Sequence, residues 1–324
     1  MIKNKFIYHL ILVLFASSMI SCDLLNDLDE EELVVDETPI PDPEPTITDD
    51  YKVELMKKYA PYTYMDKDES YFPSSLDYAF PHFKRYLNED NGLYSLTTIE
   101  PLQTGNDILD FFHGEMSTAK VYVFWIAKDE SKYQITHFYF YPYNEATGNI
   151  VQNHVGDWEH ASVRLRWIDK GNEDWVLEPY QMYLATHSTG TTKAWEDVEK
   201  IGDQPVVFSA QGSHGMYFTE GQHEIDITSK GEVLDVAENG RIVAFDYSSK
   251  KGLNGSDWPK WMSKDFSNAG SNPIDNPLSG PIYRFGNQKM DCQGTVGGEE
   301  ICTLSDGPTG PINKPVWDPS TYEK

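Results

Sequence analysis

The chain has 324 residues, with 26 basic and 52 acidic side chains and a formal net charge of −26. A surface that negative excludes nucleic-acid binding through phosphates and simple electrostatic adsorption to anionic lipid, both of which need a basic face. Divalent cations are its natural partners, and the length suits one large domain or two small ones.

Residues 1–21 read as a secretory signal. Lys3 and Lys5 precede an apolar run from Phe6 to Phe15, too short to span a membrane as a helix. The stretch MISC, ending at Cys22, resembles a bacterial lipobox with Met19 where Leu is usual. That resemblance implies cleavage before Cys22 and a lipid anchor on its thiol. Residues 22–50 carry twelve acids and no base, and close on the proline-rich DETPIPDPEPTITDD. Such a segment buries too little apolar surface to fold and reads as an extended tether. Acids directly after the cysteine also resemble the surface-export signal of Bacteroidetes lipoproteins. The expected location is therefore an outer membrane, lipid-anchored and facing the exterior. Without Lys3 and Lys5 the balance is 24 bases against 52 acids, or −28, of which −16 falls on residues 51–324.

Residues 51–324 read as a single β-sandwich domain and a monomer. Aromatic and β-branched runs at 120–128, 133–143, 159–167, 175–187, 204–210 and 241–247 are separated by turn clusters such as NEATGN, DKGNED and AENG. This is the pattern of a mostly β, antiparallel two-sheet sandwich with few helices. Helical patterning is confined to 51–60, 80–87 and 193–202. From Gly252 onward the chain is rich in Gly, Pro, Asn and Ser and is expected to wrap the sandwich irregularly. Cys292 and Cys302, ten apart around CQGTVGGEEIC, are expected to form a disulfide worth roughly 3 kcal/mol of chain entropy.

The densest chemistry lies in NHVGDWEH, residues 153–160. With strand geometry from Asp157, one face carries Asp157, Glu159, Ala161, Val163, Leu165 and Trp167, and the other carries Trp158, His160, Ser162, Arg164 and Arg166. The apolar face must be the buried one, so two carboxylates enter an interior where an unpaired charge is very costly. Either a bound cation or histidine and arginine partners relieve that cost. Two carboxylates with imidazole and amide oxygens suit Ca²⁺ or Mg²⁺ better than Mn²⁺ or Zn²⁺. Further strand ends carry polar groups beside glycine: Asn144 and Glu145, His187 and Ser188, and Ser213 and His214.

In order, the segments KYAPYTYMDKDESYFPSS (58–75), YPYN (141–144), HVGDWEH (154–160), HSTG (187–190), PVVFSAQGSHGMY (205–217), YRFGN (283–287) and DGPTGP (306–311) resemble the vacuolar protein sorting-associated protein 62 family. Gly215-Met216 stands where Ala-Ser is commoner. HVGDWEH is also similar, more faintly, to the heptapeptide region of the necrosis- and ethylene-inducing (Nep1-like) proteins, β-sandwich cytolysins that surround a divalent cation with such residues. That likeness implies a metal set of His154, Asp157 and Glu159, completed by Glu145 or Asn144. His160, His187, Ser188, Ser213 and His214 support it.

Three functions follow. The first is a non-catalytic, toxin-like protein that binds a glycan or lipid headgroup; Tyr139, Tyr141 and Tyr143 could contact it, although ordinary sandwich packing is the expected role of these tyrosines. The second is a metal-dependent hydrolase using His154, Asp157, Glu159 and His160. The third is a structural protein whose acidic network fixes loops. No GxSxG or HExxH motif is present, and adjacent Ser213 and His214 point apart on a strand, so a Ser–His nucleophile is not expected.

Overall fold

The protein is described from a computed structural model, which covers residues 45–88, 93–129, 131–146, 153–186, 189–226, 243–248, 266–270, 283–286, 289–296 and 299–311. Two compact units divide the chain, 1–37 and 38–324, and the described residues all belong to the second. Cys22 and the tether up to residue 44 lie outside them.

The fold opens with helix α1 (Asp49–Lys58), which starts two residues earlier than its apolar pattern suggests because Thr48 caps it by accepting from the Tyr51 N–H. Asp49 and Asp50 in its first turn and Lys57 and Lys58 in its last complement the helix dipole. Then come β1 (Tyr62–Met65), a short helix α2 (Leu76–Ala79), β2 (Phe83–Asn88) and β3 (Leu93–Thr98). The long strands follow: β4 (Val121–Ala127), β5 (Lys132–Asn144), β6 (His154–Asp169) and β7 (Trp175–Thr186). After β8 (Thr189–Ala194) come β9 (Lys200–Ile201), β10 (Gln204–Ser209), β11 (Met216–Tyr217), β12 (Gly221–Asp226) and β13 (Val243–Ser248). The chain ends in β14 (Phe266–Gly270), β15 (Tyr283–Phe285), β16 (Met290–Val296) and β17 (Glu299–Leu304).

A six-stranded sheet in the order β14-β4-β5-β6-β7-β8 is the spine. One face packs against α1 and the sheet β1-β10-β11, with Met56, Met65, Val121, Ile135, Val163, Leu165, Trp167, Val207 and Met216 between them. This is the expected sandwich. The opposite face is covered as well, by α2, the 3-10 turn at Asp110–His113 and the sheet β15-β3-β2. Phe112, Phe124, Phe138, Phe140, Trp158 and Phe285 fill that second core. The expectation of one buried and one exposed face for β6 is thereby corrected: Trp158, His160 and Ser162 are as buried as Ala161 and Val163. A polar row on this second face is hydrogen-bonded internally, with Gln134 Nε2 donating to Thr136 Oγ1 at 2.8 Å and the Thr136 and Ser162 hydroxyls 3.0 Å apart.

Two helices expected from sequence are not helices. In 80–87, Pro81 sits in a single 3-10 turn and Phe83 onward pairs with β3, because Phe83 is buried in the second core as a strand residue. In 193–202 only Trp195–Asp197 turns. Lys200 then satisfies the carbonyls of Trp195 and Val198 with its ammonium at 2.6 and 2.7 Å, and the chain enters β9. The tail beyond Gly252 is less irregular than its composition suggests: β14 and β15 add parallel edges to β4 and β3, and β16-β17 form a hairpin joined by the Cys292–Cys302 disulfide.

His137 on β5 lies fully buried, its Nε2 donating to the Met56 carbonyl at 3.2 Å. Burial lowers its pKa to about 4. Because the folded value lies below the roughly 6.5 of an unfolded histidine, its contribution is intact above that value and is lost as pH falls towards 4. Chemical denaturation from pH 7.5 to 4 should show this acid slope, and His137→Gln should flatten it. An unchanged slope would assign acid sensitivity to other groups.

Candidate functional site: a buried histidine between two carboxylates

The end of the β5–β6 hairpin breaks its own alternation. Tyr141 and Asp157 pair across the strands, with Tyr141 packed in the first core, yet the next pair, Tyr143 and Val155, packs in the second. Pro142 and Gly156 lie between these pairs. Gly156 takes a left-handed φ of +71°, and a Cβ there would meet the Phe285 ring at 2.5 Å. The glycine of HVGDWEH is thus a backbone requirement. His154 falls beyond the break, half-buried, its Nδ1 donating to the Gly156 carbonyl at 2.8 Å.

Asp157 turns towards the loop that follows β10. There, residues 210–215 form a tight turn in which the His214 N–H reaches the Ala210 carbonyl and the Ala210 N–H reaches Gly215. His214 has a φ of +59°, so it sits on a turn and not on the expected strand. Its ring is wholly buried. Nδ1 donates to Asp157 Oδ2 at 3.0 Å, Nε2 donates to the Tyr71 carbonyl at 3.2 Å, and the Tyr141 ring stacks on it at 3.7 Å with an 8° interplanar angle.

The second carboxylate is Glu69, whose Oε2 is 3.9 Å from His214 Nε2. It accepts from the backbone N–H groups of Ser70, Tyr71 and Gly212 at 2.7–2.8 Å. Burial raises its pKa, against the pull of His214 and of those three donors. By linkage, that shift favours the folded state at acid pH, a gain lost as pH rises through the folded value. Asp157 Oδ1 takes the Trp158 N–H at 2.8 Å, Tyr71 donates from its hydroxyl to Glu145 Oε1 at 3.3 Å, and the Glu145 N–H donates to the Gly212 carbonyl. Burial raises the phenols of Tyr71 and Tyr141, which stay neutral.

Of the residues singled out from sequence, Asp157, His214 and Glu145 join this network. Asn144 pairs with His154 at the strand ends. Glu159 lies on the Asp157 face opposite Tyr139, while His160 lies on the other face with its ring 4.9 Å from Phe138. Ser213 is buried in the turn, and His187 and Ser188 lie outside the described residues. Among the described residues, no group of three or more His, Cys, Asp and Glu is arranged to hold a metal ion. Tyr139, Tyr141 and Tyr143 are each at most 1% exposed and belong to the cores, so the expected sandwich packing holds and they are not ligand contacts. Sequence reasoning missed Glu69, Tyr71 and Ser209, whose hydroxyl lies 3.3 Å from that of Tyr141.

Gly212 combines a φ of +69° with a contact that a Cβ would make at 2.7 Å to the Glu145 carbonyl. Gly202 has a similar φ, +65°, and open space around it. Gly212→Ala should cost about 2–3 kcal/mol and Gly202→Ala about 1, read from urea midpoints. Equal losses would show that the loop does not hold Glu145 closely.

The sequence profile of the vacuolar protein sorting-associated protein 62 family matches residues 110–320. The chain is 29% identical over 157 residues to vacuolar protein sorting-associated protein 62 of Saccharomyces cerevisiae, covering 41% of this chain and 31% of that one. It is 32% identical over 143 residues to TDA6 of the same yeast, named for vacuolar protein sorting as well, covering 34% and 28%. The chain therefore spans less than a third of the length of these relatives. Similar solved structures are NLPPya in complex with mannosamine, at 17% identity over 57% of this chain and 74% of that one with a TM-score of 0.36, and the non-toxic HaNLP3 protein, at 17% over 56% and 74% with 0.34. At those TM-scores no residue position transfers between the chains. The expected bacterial outer-membrane location is corrected by the curated matches, which are eukaryotic proteins named for vacuolar sorting and not surface lipoproteins. With its profile match covering most of the sandwich, the chain belongs to the vacuolar protein sorting-associated protein 62 family.

Proposed function

We propose that this protein is a non-catalytic binding protein. In this reading its buried Asp157–His214–Glu69 network fixes the loops at one end of the sandwich as a preformed surface for a hydroxyl-rich glycan or lipid headgroup. The observation that carries the reading is the state of His214. Both of its ring nitrogens are committed to protein acceptors and its face is covered by Tyr141, so it has no position from which to take a proton from a substrate. The division of Glu159 and His160 between opposite faces of β6 weighs against a hydrolase built on both.

The same geometry supports a histidine partner for the acidic site. His214 sits between two buried carboxylates, where the sequence alone leaves open a choice between metal and histidine. What remains at the surface beside the network is polar and adaptable. Gln211 donates from Nε2 to the Asp68 carbonyl at 3.1 Å, and exposed His113 lies parallel to the Tyr71 ring at 5.5 Å, with half-buried Glu145 alongside. An aromatic face next to carboxylate and amide groups suits a sugar or polyol headgroup.

Thermal unfolding of the protein in EDTA, Ca²⁺ and Mg²⁺ should give one and the same Tm. Asp157→Asn should lower stability by about 3 kcal/mol in all three buffers, since it removes the carboxylate that holds the buried His214 ring. A cation-specific rise in Tm that vanishes in Asp157→Asn would replace the histidine reading with a metal site.

Binding to a panel of immobilised glycans and to vesicles of phosphoinositide or glycolipid composition tests the function itself. Retention on at least one panel, weakened in His113→Ala with an unchanged Tm, is the expected result. Turnover of a chromogenic ester or glycoside that Glu159→Ala abolishes without unfolding would overturn it.

A further inference from the structure

The disulfide hairpin does more than close a loop, because the chain leaving it runs directly along the strand that starts the site. Residue Thr303, next to Cys302, accepts the Asn153 N–H on its carbonyl at 3.1 Å. Ser305 donates its N–H to the Asn153 carbonyl at 2.7 Å, and its hydroxyl reaches the same oxygen at 3.3 Å. Asn153 forms a parallel bridge with Leu304, which is buried in the second core. A Cβ on Gly307 would meet the Val155 carbonyl at 2.3 Å, so segment 303–307 follows residues 153–155 in close contact.

Asn153 then passes the connection on. Its Oδ1 accepts the Ala146 N–H at 2.9 Å. The neighbouring Glu145 N–H donates to the Gly212 carbonyl at 3.0 Å, and the Gly212 N–H donates to Glu69 Oε2 at 2.8 Å. The other hairpin strand is anchored separately, by Asp291 Oδ2 accepting the Gly105 N–H at 2.6 Å. Hydrogen bonds linked by short stretches of backbone therefore join the disulfide to the carboxylate beside His214.

We propose that the Cys292–Cys302 hairpin is a redox-controlled clasp: closed, it holds segment 303–307 on β6 and keeps the His214 loops ordered, and reduced by a dithiol it releases them. The two cysteines differ as the chemistry requires, for Cys292 is exposed and Cys302 is fully buried. A reductant thiolate attacks the Cys292 sulfur, the S–S bond breaks, and the Cys302 sulfur leaves and takes up a proton. The reductant's second thiol then attacks the mixed disulfide, forming the reductant's own disulfide and freeing Cys292 as a thiol. The protein gains two electrons and two protons, both from the dithiol. Without the cross-link, segment 303–307 is held by its backbone bonds, Leu304, the Ser305 hydroxyl and the partly exposed Asp306–Arg284 pair, and local opening becomes easier than global unfolding.

This proposal rests on the reading of the His214 loops as the ordered binding end, yet its test needs neither a ligand nor a metal. Amide hydrogen exchange is followed on the oxidised protein, on protein reduced with dithiothreitol, and on a Cys292→Ser/Cys302→Ser variant. Reduction should speed exchange at Ser305, Asn153, Ala146 and Gly212 by about tenfold or more, leave Phe124, Ile135 and Val163 unchanged, and be matched by the double variant. In Asn153→Ala the Ala146 and Gly212 amides should exchange fast in the oxidised state, with no further gain on reduction. Faster exchange confined to residues 290–305, or a parallel rise in every amide, would each overturn the clasp. A failed binding panel with these exchange results intact would count against the function alone.

Discussion

Everything at the loop end of this sandwich depends on one buried imidazole held between two carboxylates. A carboxylate in the interior is very costly without a counter-charge, and here Asp157 from β6 and Glu69 from the β1–α2 connection share His214 from the turn after β10. No two of these residues are near in sequence. Their attraction therefore fixes three remote segments to one another, and the backbone donors on Glu69 and Asp157 add direction to what Coulomb attraction alone would leave loose.

The stack of Tyr141 on His214 explains why this arrangement sits where β5 and β6 roll over. Pro142 and Gly156 turn the following pair into the second core, so Tyr141 and Asp157 are the last residues of the hairpin on the first face. The imidazole fills the corner left by that change. A side chain at Gly156 would collide with Phe285, and Phe285 is itself held by β3 and by residue 308, so the roll-over is locked from the far side. The double-sided burial of the central sheet and the position of the charged network are thus one feature.

The long strands were legible because their aromatic and β-branched runs are uninterrupted; β4, β5, β7 and β10 fall within a few residues of their patterns. The helix over 80–87 failed because Phe83, whose place is in the second core, can reach it only in extended backbone. Asp157 was legible as a buried acid from its place on an apolar strand face. Its partner was not: among Asp66, Asp68 and Glu69, alternation gives no reason to aim Glu69 at His214, since its position follows in part from a donor on Gly212, far along the chain. The packing of the β5 tyrosines follows the sandwich pattern for Tyr139 and Tyr141, which lie in the first core. The placing of Tyr143 in the second core was not legible, because it needs the roll-over at Pro142 and Gly156.

A structural role for the network also accounts for the surroundings of its members. A catalytic histidine needs one nitrogen turned to the substrate and a carboxylate behind the other. His214 has a protein partner at each ring nitrogen and an aromatic ring on its face, so neither nitrogen is turned outward. The cost of burying these polar groups is recovered only when all the partners are in place at once, so the loops are ordered together. That cooperativity makes a single remote constraint effective. A hairpin that pins Asn153 acts on Ala146, Glu145, Gly212 and Glu69 in turn, and a network that tolerates no missing member transmits the loss of any one of them to the whole end of the sandwich.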